Sequence, residues 1–197
     1  MSLQHAILGI LSYKPTTGYD LKQIIDKNIS YIWSAKLSQI YRDLGSLERK
    51  GYVTTRIEKQ EGRPDKKVYS VTDEGKKALQ EWMIKFPQEL LPPIRDEFCL
   101  RVLFGSKLPV EELKFQLSRF IKEIQARLEV YQGMAKDIDK YAEDIGLPGE
   151  KFFWRLTLKR GFICEEAEMR WARECLLELT KEYPDQPLSD PGLEGKV

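Results

Sequence analysis

An apolar residue returns at every seventh position from Val110 to Ile145, through Leu117, Ile124, Tyr131 and Ile138. A second series with the same spacing is offset by three: Leu113, Phe120, Arg127, Met134 and Tyr141, with Arg127 as its charged exception. These are the a and d positions of five heptads, and only a long helix gathers such residues on one face. The following position is apolar too, at Ile121, Leu128, Ala135 and Ala142, so the stripe is wider than a two-stranded seam. A helix of this kind cannot bury its stripe alone. It must pack on a neighbouring helix, on a second chain, or on both. The neighbour is at hand: Gly146 to Gly149 turn the chain, and Glu150 to Tyr183 form a last long helix. It carries Phe152, Leu156, Phe162, Ile163, Trp171, Leu176 and Leu179.

Upstream, the texture differs. Ser2 opens a helix to about Leu11, with Leu3, Ile7, Ile10 and Leu11 inward, and Lys14-Pro15 breaks it. Thr17 and Asp20 resemble a capping box for a second helix, which buries Leu21, Ile24 and Ile25 and ends near Asn28. Ser34 is the next N-cap by type, and a third helix runs to Lys50, stopped by Gly51. Its apolar stripe is Leu37, Ile40, Tyr41, Leu44 and Leu47, and its other face is polar. Residues 52–57 and 67–71 are rich in β-branched and aromatic residues. They flank the turn residues Gly62-Arg63-Pro64-Asp65, which reads as a β-hairpin with a long loop. Thr72 caps a fourth helix with Ala78, Leu79, Trp82 and Phe86 on its stripe. Pro87, Pro92 and Pro93 mark the boundary, and a short helix from Ile94 to Phe104 follows, closed by Gly105.

The expected architecture is therefore mainly α. A winged helix-turn-helix over residues 1–87 has three helices, a hairpin wing and a fourth helix. A helical, antiparallel coiled-coil-like dimerisation domain covers 88–183, and a Pro-, Asp- and Gly-rich tail covers 184–197. The net charge of +1 names no partner, but it hides an asymmetry. Residues 1–87 hold 15 Lys+Arg against 10 Asp+Glu, whereas residues 88–197 hold 17 against 21. A basic first half joined to an acidic second half suits a nucleic-acid module attached to a partner module. Three cysteines without CxxC spacing argue against a disulfide framework or a zinc knuckle. The early apolar run Ala6–Leu11 is too short to span a bilayer, and it lacks the flanks of a signal peptide. A cytoplasmic protein without a membrane partner is expected.

In a winged helix the third helix enters the major groove, and the hairpin loop reaches phosphates or the adjacent minor groove of double-stranded DNA. Lys36, Ser38, Gln39 and Arg42 lie in the N-terminal half of that helix, where they can reach base edges. Arg63 sits at a Gly-Pro tip, with Lys66 and Lys67 beside it, as phosphate ligands would.

Ile7-Leu8-Gly9-Ile10-Leu11 followed by Gly18-Tyr19-Asp20-Leu21 resembles the opening of the PadR family of bacterial transcriptional regulators. Ile40-Tyr41-Arg42-x-Leu44-x-x-Leu47-x-x-x-Gly51-Tyr52 is similar to that family's third helix. Gly62-Arg63-Pro64-x-x-Lys67-x-Tyr69-x-Val71-Thr72-x-x-Gly75 looks like its wing and the start of its fourth helix. Gln39-Ile40-Tyr41-Arg42, Glu61-Gly62-Arg63-Pro64-Asp65 and Arg95-Asp96-Glu97-Phe98 are similar to the AphA-type virulence activator branch. The likeness is specific over residues 1–98 and architectural beyond. It implies a winged helix, a helical dimerisation domain, a palindromic promoter site and a phosphate contact from Tyr41.

For the second half, an obligate homodimer is expected, held by residues 109–145 and 150–183. Leu117, Phe120, Ile124, Tyr131, Met134 and Ile138 would lie in its seam. Tyr131, Trp154 and Trp171 could line a pocket for a flat aromatic effector, although aromatics at helical spacing are usually core. No catalytic role is expected: His5 is the only histidine, and zinc-protease or glycine-rich phosphate motifs are absent from the sequence. No metal or cofactor is expected either. The alternative is an interaction protein, a coiled-coil adaptor whose winged helix binds protein.

Overall fold

Leu3, Ile7, Ile10 and Leu11 are buried as their spacing requires, and they line one side of α1 (Ser2–Tyr13). The structure, a computed structural model, describes residues 2–59, 65–85, 87 and 95–184. A two-residue strand, β1 (Thr16–Thr17), follows the Lys14-Pro15 break. Thr17 then caps α2 (Gly18–Ile24): its oxygen accepts from the Asp20 N–H at 3.1 Å, and its hydroxyl donates to the Asp20 carboxylate at 2.8 Å. The helix widens into a π-helical turn over Ile25–Ile29, slightly beyond the expected end at Asn28.

The third helix, α3 (Leu37–Arg49), starts later than Ser34, and Lys36 is its N-cap residue. Ala35 is buried in the core, which pins the preceding segment in a non-helical course. Ile40, Leu44 and Leu47 face inward, whereas Leu37 and Tyr41, expected on the same stripe, stay 37% and 47% exposed on its flank. The helix ends as Gly51 allows. At φ 73° it takes a left-handed conformation, so that the Gly51 N–H reaches Glu48 O and the Tyr52 N–H reaches Leu47 O, each at 3.0 Å.

Strands β2 (Val53–Glu58) and β3 (Lys66–Val71) pair antiparallel, from Val53 opposite Val71 to Glu58 opposite Lys66. β1 adds to the free edge of β3, with Thr16 opposite Tyr69, giving the order β1-β3-β2. This third strand has no sequence signal, because two residues show no alternation. The hairpin tip with Gly62, Arg63 and Pro64 lies outside the described residues. Thr72 caps α4 (Asp73–Ile84), accepting from the Gly75 N–H at 3.0 Å and donating to Gly51 O at 2.7 Å. One side chain thus joins the end of α3 to the start of α4. Ala78 and Leu79 are half-buried. Trp82 is 47% exposed and stacks on His5, with ring centroids 4.5 Å apart. Phe86 lies outside the described residues.

Asp96 caps α5 (Glu97–Leu103), which begins inside the Ile94–Phe104 span read from sequence; Ile94 itself lies outside the described residues. A 3-10 turn, Gly105–Lys107, leads to α6 (Val110–Asp144) and then α7 (Glu150–Glu182). The two long helices run antiparallel. Leu113 and Leu117 pack with Ala172, Leu176 and Leu179, the Tyr131 ring meets Phe162, and Tyr141 meets Trp154. Gly146, at φ 72°, closes α6 as Gly51 closes α3. The chain forms two compact units, one of residues 1–90 with 136–157 and one of residues 91–135 with 158–197.

The burial of the heptad residues changes their reading. Leu117 and Ile124 are fully buried and Tyr131 is 5% exposed in the single chain, so no second chain is needed to cover them. Phe120, Met134 and Ile138 are half-buried. Small residues on α7, Gly161 and Ala172, are buried with Leu158 and allow a close approach. The larger apolar residues Phe152, Leu156 and Ile163 are 61%, 50% and 56% exposed. The α7 apolar set is spread around the helix and exceeds what one neighbour can cover.

Candidate nucleic-acid interface

α2 and α3 form the helix-turn-helix, and a contact between them depends on a missing side chain. The Tyr41 ring lies against Gly18, where a Cβ would stand 2.5 Å from Tyr41 Cε1. The ring therefore braces the start of α2 on α3, while 47% of the residue remains exposed. A structural and a solvent-facing role coexist in one side chain. Lys36, Ser38, Gln39 and Arg42 are all exposed near it, with Ser38 and Arg42 on the side of α3 opposite Ile40, Leu44 and Leu47 and Lys36 at its N-cap.

Gln39 is partly committed. Its Oε1 accepts from the Lys36 N–H at 2.8 Å, satisfying one of the orphan donors at the start of α3. The bond fixes the orientation of the amide, so a two-point contact to adenine that turned it away would break the cap. Arg42 faces no such demand from the helix ends and stands as the forked donor of this face.

The wing is tied to α3 by Glu48, a residue that sequence reasoning missed. Glu48 accepts from the Thr55 hydroxyl on β2 and, at 3.2 Å, from Lys67 Nζ on β3. Lys67 also lies over the Tyr69 ring, 5.2 Å from its centroid. Its ammonium is thus held against the protein, while Lys66 is exposed on the strand opposite Glu58. Arg63 lies outside the described residues. A second missed link is Gln4 of α1, which donates to Asp43 at 3.1 Å and accepts from Lys50 at 2.9 Å. Partners this distant in sequence leave no local signal.

Thr55's hydrogen bond, and then the Lys67 ammonium, hold the Glu48 carboxyl below its ordinary value of 4.5. A depressed carboxyl stabilises the fold above its ordinary value, and that contribution is lost as pH falls through its folded value. Glu48 is 38% exposed, so water screens the pair and the stabilisation is small. We expect the Glu48 carboxyl, followed by carbon-detected NMR, to titrate below the ordinary glutamate value and to move up in Thr55→Val. A midpoint indifferent to that substitution contradicts the tie.

The aromatic residues considered for a pocket do not share one. Trp154 meets Tyr13 edge-on at 5.9 Å and Tyr141 at 5.7 Å. Trp171 packs on Phe98 and Phe120 at 6.2 and 6.1 Å. Tyr131 meets Phe162 at 5.7 Å and donates to Glu165. Each belongs to a separate packing cluster, because residues spaced along antiparallel helices meet partners at different heights. Among the described residues no group of His, Cys, Asp and Glu is placed to hold a metal ion, and no helix is long and apolar enough to cross a membrane.

Two family models match the chain: the transcriptional regulator PadR-like family over residues 7–81, and the virulence activator alpha C-terminal family over residues 94–180. The second extends the likeness past residue 98 into the long helices. The chain is 31% identical over 180 residues to the negative transcriptional regulator PadR of Bacillus subtilis, covering 91% of this chain and 98% of that protein. The structure of Bacillus subtilis PadR in complex with operator DNA is similar at a TM-score of 0.76 and 30% identity, over 91% of this chain and 99% of that one. The Vibrio cholerae virulence activator AphA is similar at a TM-score of 0.70 and 32% identity, again over 91% and 99%.

Proposed function

Because the chain belongs to the PadR family, whose members are transcriptional regulators rather than enzymes, we propose that it binds a palindromic promoter site as a homodimer, with α3 in the major groove. The observation that carries this reading is the polar, exposed face of α3, built on a helix whose opposite side is locked into the core. Residues 1–87 supply the DNA-binding part, and residues 88–183 bring two copies together. A regulator of this kind works where the chromosome is, in the cytoplasm.

Within that reading, Arg42 and Ser38 read base edges, and Gln39 donates to them while its oxygen caps α3. Lys36 and Tyr41 approach phosphates beside α3. Arg63 and Lys66 serve the backbone or minor groove from the wing, whereas Lys67 mainly fixes the wing to α3. Outward-facing apolar residues, among them Leu103 of α5 and Ile163 of α7, supply the dimer surface, in place of the buried Leu117, Ile124 and Tyr131.

Bound fragments selected from genomic DNA would define the operator. Arg42→Ala is then expected to weaken operator binding by about 1–3 kcal/mol and to relax preference at one position. Arg63→Ala should weaken operator and scrambled duplexes alike, lowering the salt slope by roughly one for each phosphate it no longer neutralises. Unchanged affinity in both variants would sink the DNA reading. Equal loss of operator preference in both would sink the division between helix and wing.

A further inference from the structure

The turn of the helix-turn-helix is held from outside the winged helix. After the π-helical turn Ile25–Ile29, the Ile32 and Trp33 N–H groups both donate to Ile29 O, at 2.9 and 2.8 Å, and close the chain into a tight turn. Ile25 and Ala35 are buried on either side of it, which anchors both ends. Tyr31 lies within this turn, ahead of Leu37, the first residue of α3. Its hydroxyl meets Thr157 Oγ1 of α7 at 2.8 Å, across 126 residues of chain. The Thr157 hydroxyl gives its one hydrogen to Trp154 O at 2.9 Å, so Tyr31 is the donor in the bond between the two hydroxyls. Burial pushes the Tyr31 phenol up, so it keeps its proton through the physiological range.

A second grip lies on the same face of α7. Glu150, Trp154 and Thr157 are spaced by four and three, so they share one side of the helix. Tyr13, at the end of α1, donates to Glu150 Oε2 at 3.1 Å and meets the Trp154 ring edge-on. Two tyrosines of the winged helix thus hold the first turns of α7, and residues 136–157 form one compact unit with residues 1–90. The helix runs on unbroken to Glu182. A dimer that reads two half-sites accepts only the spacing at which both recognition helices fit their grooves. One added base pair turns a half-site by about 35° and moves it by about 3.4 Å. Selectivity for spacing therefore requires that α3 cannot swing on its support.

Given the promoter-binding function proposed above, we propose that Tyr31 and Thr157 are positioning residues for operator recognition. Their hydrogen bond fixes the turn before α3 to α7 and so confines the dimer to one half-site spacing. Neither side chain needs to touch DNA for this.

The full-length protein is titrated with three duplexes: the operator obtained by genomic selection, the same operator with one base pair inserted between its half-sites, and a single half-site. We expect wild type to prefer the native spacing. Tyr31→Phe should reduce that preference about two- to tenfold, the range that one hydrogen bond commands, and leave half-site affinity and helicity unchanged. Thr157→Val should do the same and the double variant no more, whereas Thr157→Ser, which keeps the hydroxyl, should behave as wild type. Equal weakening on all three duplexes would mark a merely structural contact and overturns the positioning role. An unchanged spacing preference in both single variants overturns it as well. Should Tyr31→Phe lose helicity by circular dichroism, Thr157→Val decides alone. A wild type that binds none of the three duplexes overturns the promoter-binding reading itself, and the positioning role with it.

Discussion

Ile124→Asp is expected to unfold the long-helix hairpin, with loss of far-UV helicity and a lower melting temperature. Ile124 is fully buried within a single chain, so the new carboxylate would enter an apolar seam without a cation to meet it. An uncompensated buried charge costs about 3–5 kcal/mol, a large part of the ~5–15 kcal/mol that holds a domain together. Ile163→Asp supplies the contrast, because Ile163 is 56% exposed on α7. It should keep wild-type helicity while shifting sedimentation at micromolar concentration from dimer towards monomer. A monomeric wild type under those conditions rules out the obligate dimer. An Ile124→Asp protein that melts like wild type refutes the intramolecular seam.

Gly75→Ala should damage the joint between wing and α4. A Cβ at Gly75 would overlap the Tyr52 carbonyl oxygen and stand 2.9 Å from Val71 Cγ2. The carbonyl cannot give way cheaply, since it accepts from the Thr72 N–H at 3.0 Å. Gly75 itself donates to Thr72, whose hydroxyl donates to Gly51, so one methyl group strains three linked hydrogen bonds. The expected loss is about 2–4 kcal/mol in urea unfolding, with weaker DNA binding because the wing base shifts. Gly133→Ala, at an exposed position of α6 with nothing near its added Cβ, should instead stabilise by about 0.5–1 kcal/mol. Similar behaviour of the two variants would show that packing at Gly75 is not tight.

Much of the architecture was legible before any coordinates, where the rule acts over a few residues. Thr17 and Thr72 cap the helices they precede, and Gly51 ends α3, because those hydrogen bonds close within one turn. The seven-residue series required a long helix whatever its partner. Its neighbour across Gly146 was legible too, since a short turn leaves antiparallel packing as the way to cover the stripe. The hairpin strands announced themselves through β-branched residues on either side of turn residues.

Periodicity names an inward face but not what lies against it. Ile124 and Ile163 are both apolar residues of long helices, yet one is sealed inside the chain and the other faces outward. The difference lies in which side of α7 meets α6, and the small residues Gly161 and Ala172 help decide that only once the helices pack. The same limit applies at the candidate interface. Gln39 is an exposed polar residue in sequence and a cap donor's acceptor in structure, because Ala35 delays the start of α3. Glu48 becomes a wing anchor only when β2 and β3 are brought beside it, and Tyr13 meets Glu150 across 137 residues. Short-range hydrogen bonds and residue spacing are written in the chain itself, whereas contacts between distant segments exist only after the core has chosen how its helices and strands pack.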